Sequence, residues 1–302
     1  MNNAKKPLTT PWLDITQQIR QFDRNFNILA IDTIGGGCIN QTYRIQGDHC
    51  DYFVKLNKAS FLPSFEAEAA GLTEIQETHT IRVPEPKCYG YNTANAWLVL
   101  EYISLNPVNK NGYLTLGQNL AALHRITSQQ FGWFRDNTIG ATLQENNHTT
   151  NWVDFWRHQR FGYQLHLAKQ KGYGGKLQQL GEKLLADLDS FFPSQSIVPA
   201  LLHGDLWSGN CASDQSGQPI IYDPAVYYGD RETDLAMTEL FGGFPSQFYA
   251  AYQEAYPLDK GYNIRKTLYN LYHILNHLNL FGGGYLRQAE QMQVKLLAEL
   301  RS

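Results

Sequence analysis

The pattern of apolar and polar positions divides the chain into a strand-rich first third and a mainly helical remainder. In the first third, short β-type runs are separated by turn and loop residues such as glycine, proline and aspartate, which is typical of strands joined by tight turns. The five predicted strands are residues 28–34, 41–45, 52–56, 87–91 and 97–103. Apolar residues at helical spacing also predict a leading helix over residues 12–25 and a second helix over residues 63–77.

Beyond residue 103 the apolar spacing is that of amphipathic helices. The first helix is marked by Leu116, Leu120 and Leu123 and ends near His124. The other predicted helices are residues 151–170, 177–191, 233–241, 245–256, 263–281 and 286–300, and short strands are predicted within 200–223. The sequence therefore predicts an α+β fold with two lobes: a small five-stranded N-terminal lobe with a helix (residues 1–103) and a larger, mainly helical C-terminal lobe (residues 104–302).

Composition narrows the class of protein. The 302 residues are 43% hydrophobic and 18% charged, as in ordinary globular proteins, and the formal net charge is −3. Lysine and arginine are scattered, so a nucleic-acid partner is not expected. The chain has no long apolar run, no apolar segment after its first residues and no C-x-x-C pair among its four cysteines. We therefore expect a cytoplasmic monomer or homodimer without membrane contact, disulfide framework or metal site of the C-x-x-C type.

The most specific chemical signal is an acid, an amide and a second acid, Asp205, Asn210 and Asp223, at intervals of five and thirteen residues. This is the spacing of a kinase catalytic loop. Asp205 is the predicted catalytic base, because such a loop needs a carboxylate that accepts the proton of the substrate hydroxyl. Asn210 and Asp223 are the predicted Mg²⁺ ligands, since amide and carboxylate oxygens suit that ion. The spacing predicts phosphoryl transfer from ATP to a hydroxyl group.

A run of glycines lies between the first two predicted strands. Glycine lets the backbone approach phosphate oxygens closely and offer them its N–H groups, although a plain hairpin turn explains the same residues. The predicted phosphate-binding residues of this turn are Gly35, Gly36, Gly37 and Cys38. The run does not match the G-x-x-x-x-G-K-[ST] pattern, which argues against a P-loop NTPase.

Two further segments of the first lobe complete a nucleotide site. Lys55 ends the third predicted strand and can reach the α- and β-phosphates when a helix carboxylate holds it in place. The candidate carboxylates are Glu66 and Glu68, of which only one can face inward because residues two apart on a helix point in different directions. The segment predicted to hydrogen-bond the adenine edge through its backbone, unless it is a plain core strand, is Glu101, Tyr102 and Ile103.

His203 precedes the predicted base by two residues, as in the kinase H-R-D pattern, but Gly204 stands in place of the arginine. That arginine commonly pairs with a phosphorylated activation loop, and here the segment after Asp223 is short. We therefore expect no phosphorylation switch. His203 is predicted to support the loop by hydrogen bonds to the backbone rather than to act as acid or base.

Taken together, these segments resemble the fructosamine kinases, also called ketosamine-3-kinases, whose fold is shared with aminoglycoside phosphotransferases and choline kinases. The matching segments are residues 35–40, 53–55, 67–72, 120–124, 203–210, 222–232 and 276–282. The most specific parts are Trp207 and the run Tyr-Tyr-Gly-Asp-Arg-Glu at 227–232. The resemblance implies a bilobal protein-kinase-like fold with an antiparallel sheet, the cofactors ATP and Mg²⁺, and transfer of the γ-phosphate to the 3-hydroxyl of a ketosamine. The product would decompose and free the amine of a metabolite or protein side chain, a deglycation or repair reaction.

The resemblance also implies roles for single residues. It selects Glu68 over Glu66 as the partner of Lys55, and it makes Asp234 a structural support that binds the backbone of the catalytic loop. Trp207 either presents its flat face to the sugar or packs the loop against the helical lobe. The remaining acceptor-pocket candidates, which also suit core positions on an apolar helix, are Asn276 and His277.

Cys38 carries a separate hypothesis. A thiol beside the glycine turn and near the charge of Lys55 could have a lowered pKa and become oxidised, which would misplace the phosphate loop. The alternative is that a small side chain is needed in a tight turn.

Two other functions fit parts of the pattern. One is a different small-molecule phosphotransferase of the same fold, acting on an aminoglycoside, a choline-like alcohol or an amino alcohol. The other is a nucleotide-binding protein without catalysis, which would require the loss of a key group. Against the second, the phosphate-binding lysine, the base and both predicted metal ligands are all present.

Overall fold

The chain folds into two compact units in the computed structural model, which describes residues 10–35, 39–192 and 197–300. The first unit contains the described residues up to Gln76 together with Val83–Ser104. The second contains Glu77–Arg82 and the described residues from Leu105 onward. The short segment Glu77–Arg82 belongs to the second unit because Arg82 forms a parallel bridge with Ile220, and its carbonyl oxygen accepts the N–H of Ile221 at 3.1 Å. A single division at residue 103 does not account for this segment.

The first unit is built on a five-stranded antiparallel sheet, as predicted. Its strands are β1 (Ile28–Ile34), β2 (Gln41–Gly47), β3 (Asp51–Lys58), β4 (Pro86–Tyr91) and β5 (Asn95–Glu101). They lie in the order β1-β2-β3-β5-β4, and every neighbouring pair is antiparallel. The last strand therefore lies inside the sheet, next to β3, and its side chains are almost all buried.

Two helices accompany the sheet, α1 (Trp12–Ile19) and α2 (Leu62–Glu77). The leading helix is shorter than the predicted 12–25, because Arg20 turns the chain after Ile19 and its side-chain Nε donates to the carbonyl of Phe26 at 2.9 Å. That turn buries Phe26 completely. The core of the unit consists of Ile15, Ile19, Phe26, Ile45, Tyr52, Val54, Leu56, Trp97 and Val99.

The second unit is mainly helical. Its helices are α3 (Lys110–Leu123), α4 (Trp152–Phe155), α5 (Gly162–Gln170), α6 (Lys176–Ala186), α7 (Glu232–Leu240), α8 (Ser246–Ala255), α9 (Tyr262–Phe281) and α10 (Leu286–Glu299). The predicted helix over 151–170 is interrupted by a π-helical segment, Trp156–Phe161. Gly162 permits this wider turn, because a Cβ atom there would lie 2.2 Å from the carbonyl oxygen of Arg157. The predicted helix over 177–191 is shorter in the structure: α6 ends at Ala186, and a 3₁₀ turn, Leu188–Phe191, follows it.

Short strands carry the segment with the predicted catalytic residues. They are β8 (Ala200–Leu202), β9 (Cys211–Ser213), β10 (Pro219–Ile221) and β11 (Tyr227–Gly229), preceded in the chain by a hairpin of β6 (Asn137–Ile139) and β7 (Thr142–Gln144) that the apolar pattern did not predict. β8 pairs with β11 and β9 pairs with β10, both antiparallel. Across the three described ranges, no helix has the length and apolar character needed to span a membrane.

Candidate active site

In the first unit, Lys55 and Glu68 form a buried ion pair. The Nζ atom of Lys55 donates to Oε1 of Glu68 at 2.6 Å, and the two side chains are only 5% and 13% exposed. Lys55 is held within β3 by pairing with Thr42 on β2 and Leu98 on β5. A buried ammonium group needs such a partner, because removing its charge from water is costly. The contact distinguishes Glu68 from Glu66, while the binding of phosphate by Lys55 stays a prediction.

The segment predicted to bind adenine follows the end of β5. Glu101 is the last residue of the strand, and its N–H donates to the carbonyl of Glu85 at 2.8 Å. Tyr102 comes next, with the guanidinium of Arg44 4.6 Å from its ring centre. The strand pairing of β5 therefore ends at Glu101, where the predicted connector begins, and Ile103 is the last residue of that connector. Of the predicted phosphate turn, Gly35 ends the first described range, whereas Gly36, Gly37 and Cys38 lie outside the described residues, so their predicted roles stay predictions.

In the second unit, Asp205 and Asn210 are in direct contact. The loop between β8 and β9 closes with a 3₁₀ turn, Ser208–Asn210. The amide nitrogen of Asn210 donates to the backbone carbonyl of Asp205 at 2.8 Å and lies 3.3 Å from its Oδ2 atom. Because the nitrogen faces Asp205, the amide oxygen points away from it. The predicted base is thereby fixed relative to one predicted metal ligand.

Asp223 follows β10 and has an unusual backbone conformation. Its φ angle is +57°, in the left-handed region that non-glycine residues rarely adopt. The preceding residue, Tyr222, donates its N–H to the carbonyl of Asn210 at 3.1 Å, which joins this segment to the predicted catalytic loop. Strained backbone of this kind is commonly found at functional sites, where the surrounding structure holds it in place.

The charge of Asp223 affects the titration of Asp205. Burial, together with the negative charge of Asp223, raises the pKa of Asp205 to about 7, while the hydrogen bond from Asn210 acts in the opposite direction. The carboxylate of Asp223 and the amide oxygen of Asn210 are hard oxygen ligands of the kind that Mg²⁺ prefers. These residues fit a bound Mg²⁺ ion, whose positive charge would relieve the repulsion between the carboxylates.

Glycine at position 204 has a steric cause. Its φ angle is +83°, and a Cβ atom there would lie 2.1 Å from the carbonyl oxygen of Ala225. The carbonyl oxygen of His203 accepts the N–H of Ala225 at 2.8 Å, so the loop and the segment after Asp223 lie side by side. An arginine, as in the H-R-D pattern, would not fit this close backbone approach.

His203 uses both ring nitrogens to hold the loop. Nδ1 accepts the N–H of Asp205 at 3.2 Å, which places the proton on Nε2, 3.0 Å from the carbonyl oxygen of Tyr222. The residue is completely buried, and burial lowers its pKa, so the ring is neutral. His203 therefore links the predicted base, Asp205, to the segment that carries Asp223.

Asp234, in the first turn of α7, supports the same loop by accepting hydrogen bonds from its backbone. Its two carboxylate oxygens accept the N–H groups of His203 and Gly204 at 2.7 and 2.8 Å. Nε2 of His124 lies 3.1 Å from Oδ2, and Nδ1 of His124 lies 2.8 Å from the hydroxyl of Tyr252. Burial alone would raise the pKa of Asp234, but the hydrogen bond and charge of His124 bring it below its ordinary value. The apolar pattern marks His124 only as the end of a helix stripe and indicates no role for its side chain.

Trp207 and His277 contact the same aromatic ring. Trp207 packs edge-to-face with Phe241, with ring centres 6.0 Å apart, and His277 lies 5.0 Å from Phe241. A Cβ atom on Gly209 would lie 2.3 Å from the ring of Trp207, so the indole also packs on its own loop. These contacts favour the packing role of Trp207, and sugar binding by its half-exposed ring stays a prediction.

Asn276 is directed into the core of the second unit. It is buried, its Nδ2 atom donates to the carbonyl of Ile139 at 3.3 Å, and its Oδ1 atom accepts from Gln164 at 3.2 Å. His277, the next residue of α9, lies instead among the rings of Phe241, Phe281 and Tyr285. The structure thus separates two neighbouring candidates, one in the core and one in a half-exposed aromatic cluster.

Comparison with known proteins gives a consistent result over almost the whole chain. Residues 11–299 match the family model described as fructosamine kinase. A probable ketoamine kinase of Synechocystis is 50% identical over 284 residues, covering 93% of this chain and 95% of that protein. The chloroplastic protein-ribulosamine 3-kinase of Arabidopsis thaliana is 42% identical, covering 87% of this chain and 81% of that protein.

Solved structures agree with these sequence matches. A crystal structure from Haemophilus somnus, provisionally assigned as a fructosamine-3-kinase, has a TM-score of 0.87 and 30% identity and covers 95% of this chain and 97% of its own. An aminoglycoside phosphotransferase in complex with ADP and hygromycin B has a TM-score of 0.66 at 14% identity, covering 95% and 98%. The second similarity concerns the fold alone, which is the kinase-like fold predicted from the sequence.

Proposed function

Because this chain belongs to the fructosamine kinase family, we propose that it is an ATP-dependent kinase that phosphorylates the 3-hydroxyl of ketosamines, the products of amine glycation. The match of residues 11–299 to the family model carries this proposal. The named ketoamine and ribulosamine 3-kinases, at 50% and 42% identity, support it. Similarity at 14% identity to an aminoglycoside phosphotransferase supports no second acceptor class.

Asp205 is the proposed catalytic base. Its pKa of about 7 lets the carboxyl accept a proton near neutral pH, and the contact with Asn210 keeps it oriented toward the acceptor hydroxyl. The amide oxygen of Asn210 and the carboxylate of Asp223 are the proposed ligands of Mg²⁺, which neutralises phosphate charge when bound. Asp234 and His203 keep the loop rigid, so the base needs no rearrangement before the proton transfer.

Lys55 is the proposed phosphate-binding residue, with Glu68 holding its ammonium group in place. The glycine turn 35–37 with Cys38, and the backbone of Glu101, Tyr102 and Ile103, are proposed to complete nucleotide binding. Residues 1–103 are thus proposed to bind ATP, and residues 104–302 are proposed to supply the base, the metal ligands and the acceptor pocket. We propose no regulation by a phosphorylated activation loop.

The product of this reaction, a ketosamine 3-phosphate, decomposes and releases the free amine, so the proposed biological role is deglycation of a metabolite or of protein side chains. We propose a cytoplasmic location, on the grounds of composition and cysteine usage, and a monomer or homodimer.

The test is a panel of acceptors offered to the purified protein with ATP and Mg²⁺. Ribulosamine and fructosamine derivatives are compared with aminoglycosides, choline and amino alcohols, and the position of the new phosphate is read by ³¹P NMR. We expect turnover of ketosamines with phosphate on the 3-hydroxyl. Preferred turnover of an aminoglycoside or choline, or phosphate on another hydroxyl, would overturn the proposal.

A further inference from the structure

Three metal-ligating side chains converge at one end of the sheet in the first unit. Asp23 lies in the turn after α1, and His49 and Cys50 lie in the turn between β2 and β3. One ligand atom from each residue lies within 4.8 Å of the other two. None of the three has a role in the kinase chemistry described above.

The distances from Asp23 to the other two ligand atoms are close to the edges of a tetrahedral metal site, and the set as a whole lies within 4.8 Å. Nε2 of His49 lies 3.0 Å from both carboxylate oxygens of Asp23, and Sγ of Cys50 lies 3.4 Å from Oδ2. Zinc–oxygen and zinc–nitrogen bonds of about 2.0 Å and a zinc–sulfur bond of about 2.3 Å give tetrahedral edges of about 3.3 and 3.5 Å. A zinc ion would therefore fit with small movements of the side chains.

Neighbouring groups hold these side chains in orientations suited to a metal. The carboxylate of Asp48 lies 2.7 Å from Nδ1 of His49, which fixes the ring and leaves Nε2 as the coordinating nitrogen. The hydroxyl of Tyr52 donates to Oδ2 of Asp23 at 3.1 Å, the same oxygen that Cys50 contacts, and so helps to hold that carboxylate in place. A carboxylate behind a histidine is the common outer support of metal-binding imidazoles.

We propose that Asp23, His49 and Cys50 bind a Zn²⁺ ion, with water in the fourth position. A mixed sulfur, nitrogen and oxygen set selects a borderline-soft transition metal over Mg²⁺ and Ca²⁺. Asp23 is 17% exposed and His49 is 49% exposed, so the ion can enter from solvent. Binding replaces the hydrogen bonds within the cluster and releases the thiol proton of Cys50 to solvent.

The position in the sheet assigns this ion a structural role. It joins the turn after α1 to the β2–β3 turn, across the buried side chains of Phe26 and Tyr52. Cys50 precedes Lys55 by five residues of extended chain, roughly 16 Å at the rise of a β-strand. The proposed site is therefore distinct from the Mg²⁺ site of the nucleotide, and it does not depend on the acceptor substrate.

The test uses Co²⁺ as a spectroscopic substitute for Zn²⁺ on the nucleotide-free full chain. A cobalt–thiolate bond gives a charge-transfer band in the near ultraviolet, which oxygen ligands such as Asn210 and Asp223 do not give. We expect the band to saturate at one ion per chain and to disappear when Zn²⁺ is added. Asp23→Asn, His49→Gln and Cys50→Ser each weaken Zn²⁺ binding by at least about 100-fold, and Asp48→Asn weakens it by about 10-fold.

The matched control is Cys88→Ser, which removes another half-buried thiol of the same unit. Cys211→Ser removes the thiol next to Asn210, and both controls keep the band. Thermal melts without metal identify any variant that does not fold, and His49→Gln then takes the place of Cys50→Ser, because His49 is exposed. The absence of the band in the native protein, its persistence in Cys50→Ser or its loss in a control would overturn the proposal.

Discussion

Gly204 and Ala225 approach each other so closely that a single methyl group on residue 204 would lie 2.1 Å from the carbonyl oxygen of Ala225. Gly204 immediately precedes the proposed base, and Ala225 lies two residues after Asp223. The close approach therefore sets the spacing of the two acidic residues, and it explains why this loop has glycine where protein kinases have arginine.

Replacing Gly204 by alanine is predicted to destabilise the protein and to abolish most of its activity. The positive φ angle and the steric clash together should lower the free energy of unfolding by roughly 2–5 kcal/mol. Gly172→Ala is the matched control, because that residue also has a positive φ angle, +89°, but nothing lies within 4 Å of its Cβ position. Denaturant unfolding of both variants measures the difference. Equal losses would mean that the backbone angle, and not the contact with Ala225, constrains the loop.

Replacing Glu68 by glutamine is predicted to impair catalysis. The amide keeps a hydrogen-bond acceptor for Lys55 but removes the opposite charge, so the ammonium group is held less firmly, and turnover should fall by about 10²-fold. Glu66→Gln, two residues away on the same helix, is the control and should change turnover little. Steady-state kinetics at varied ATP concentrations give the comparison. If Glu66→Gln lowered turnover more than Glu68→Gln, the ion pair between Lys55 and Glu68 would not be the one that catalysis needs.

Replacing Asp205 by asparagine is predicted to lower turnover by about 10²–10⁴-fold while ATP binding stays nearly intact, because the base is lost and the metal ligands are kept. Asp223→Asn should instead weaken Mg²⁺-dependent ATP binding and turnover together. Asp187→Asn, at an exposed aspartate of the second unit, serves as the control. Calorimetric titration with Mg²⁺–ATP, combined with rate measurements, separates the three variants. Full activity of Asp205→Asn would exclude this residue as the base.

The raised pKa of Asp205 predicts that this carboxyl lowers the free energy of unfolding as the pH rises. The carboxyl has a pKa of about 7 in the folded protein and an ordinary value of 3.8, so between these values the folded state binds more protons than the unfolded state. Stability from this group is therefore fully present below about pH 4 and is lost as the pH rises to about 7.

The asparagine of the Asp205→Asn variant does not titrate. The contributions of the other titrating groups to the pH dependence of stability cancel when the variant is compared with the native protein. In Mg²⁺-free buffer the variant should become increasingly more stable than the native protein as the pH rises from about 4 to about 7. Thermal melts across this range give the difference directly. A difference that is constant, or that shrinks with rising pH, would contradict the prediction.

Much of the first unit could be predicted because its order is local. The five strands are short runs rich in apolar residues, most of them bounded by turn-forming residues, and the structure has all five in the predicted order along the chain. The end of α1 could not be predicted, because it depends on Arg20 reaching the carbonyl of Phe26. The π-helical turn likewise depends on backbone spacing at Gly162 and leaves no apolar signature.

The candidate site follows the same rule. The spacing of Asp205, Asn210 and Asp223 could be read from the chain, because one short stretch from β8 to just beyond the end of β10 carries all three. The contacts of His124 with Asp234 and Tyr252 join residues more than a hundred positions apart, and no local pattern shows them. The left-handed backbone of Asp223 is also imposed by neighbouring segments, since aspartate itself does not require it.

The segment Glu77–Arg82 makes the second unit discontinuous along the chain. The backbone carbonyl of Arg82 accepts the N–H of Ile221, the residue directly before Tyr222. The guanidinium of Arg82 pairs with Asp214. A fragment that starts at residue 105 would lack both partners. The second unit is therefore not released whole by one cut, so an exchange of units between relatives must carry Glu77–Arg82 with the C-terminal part.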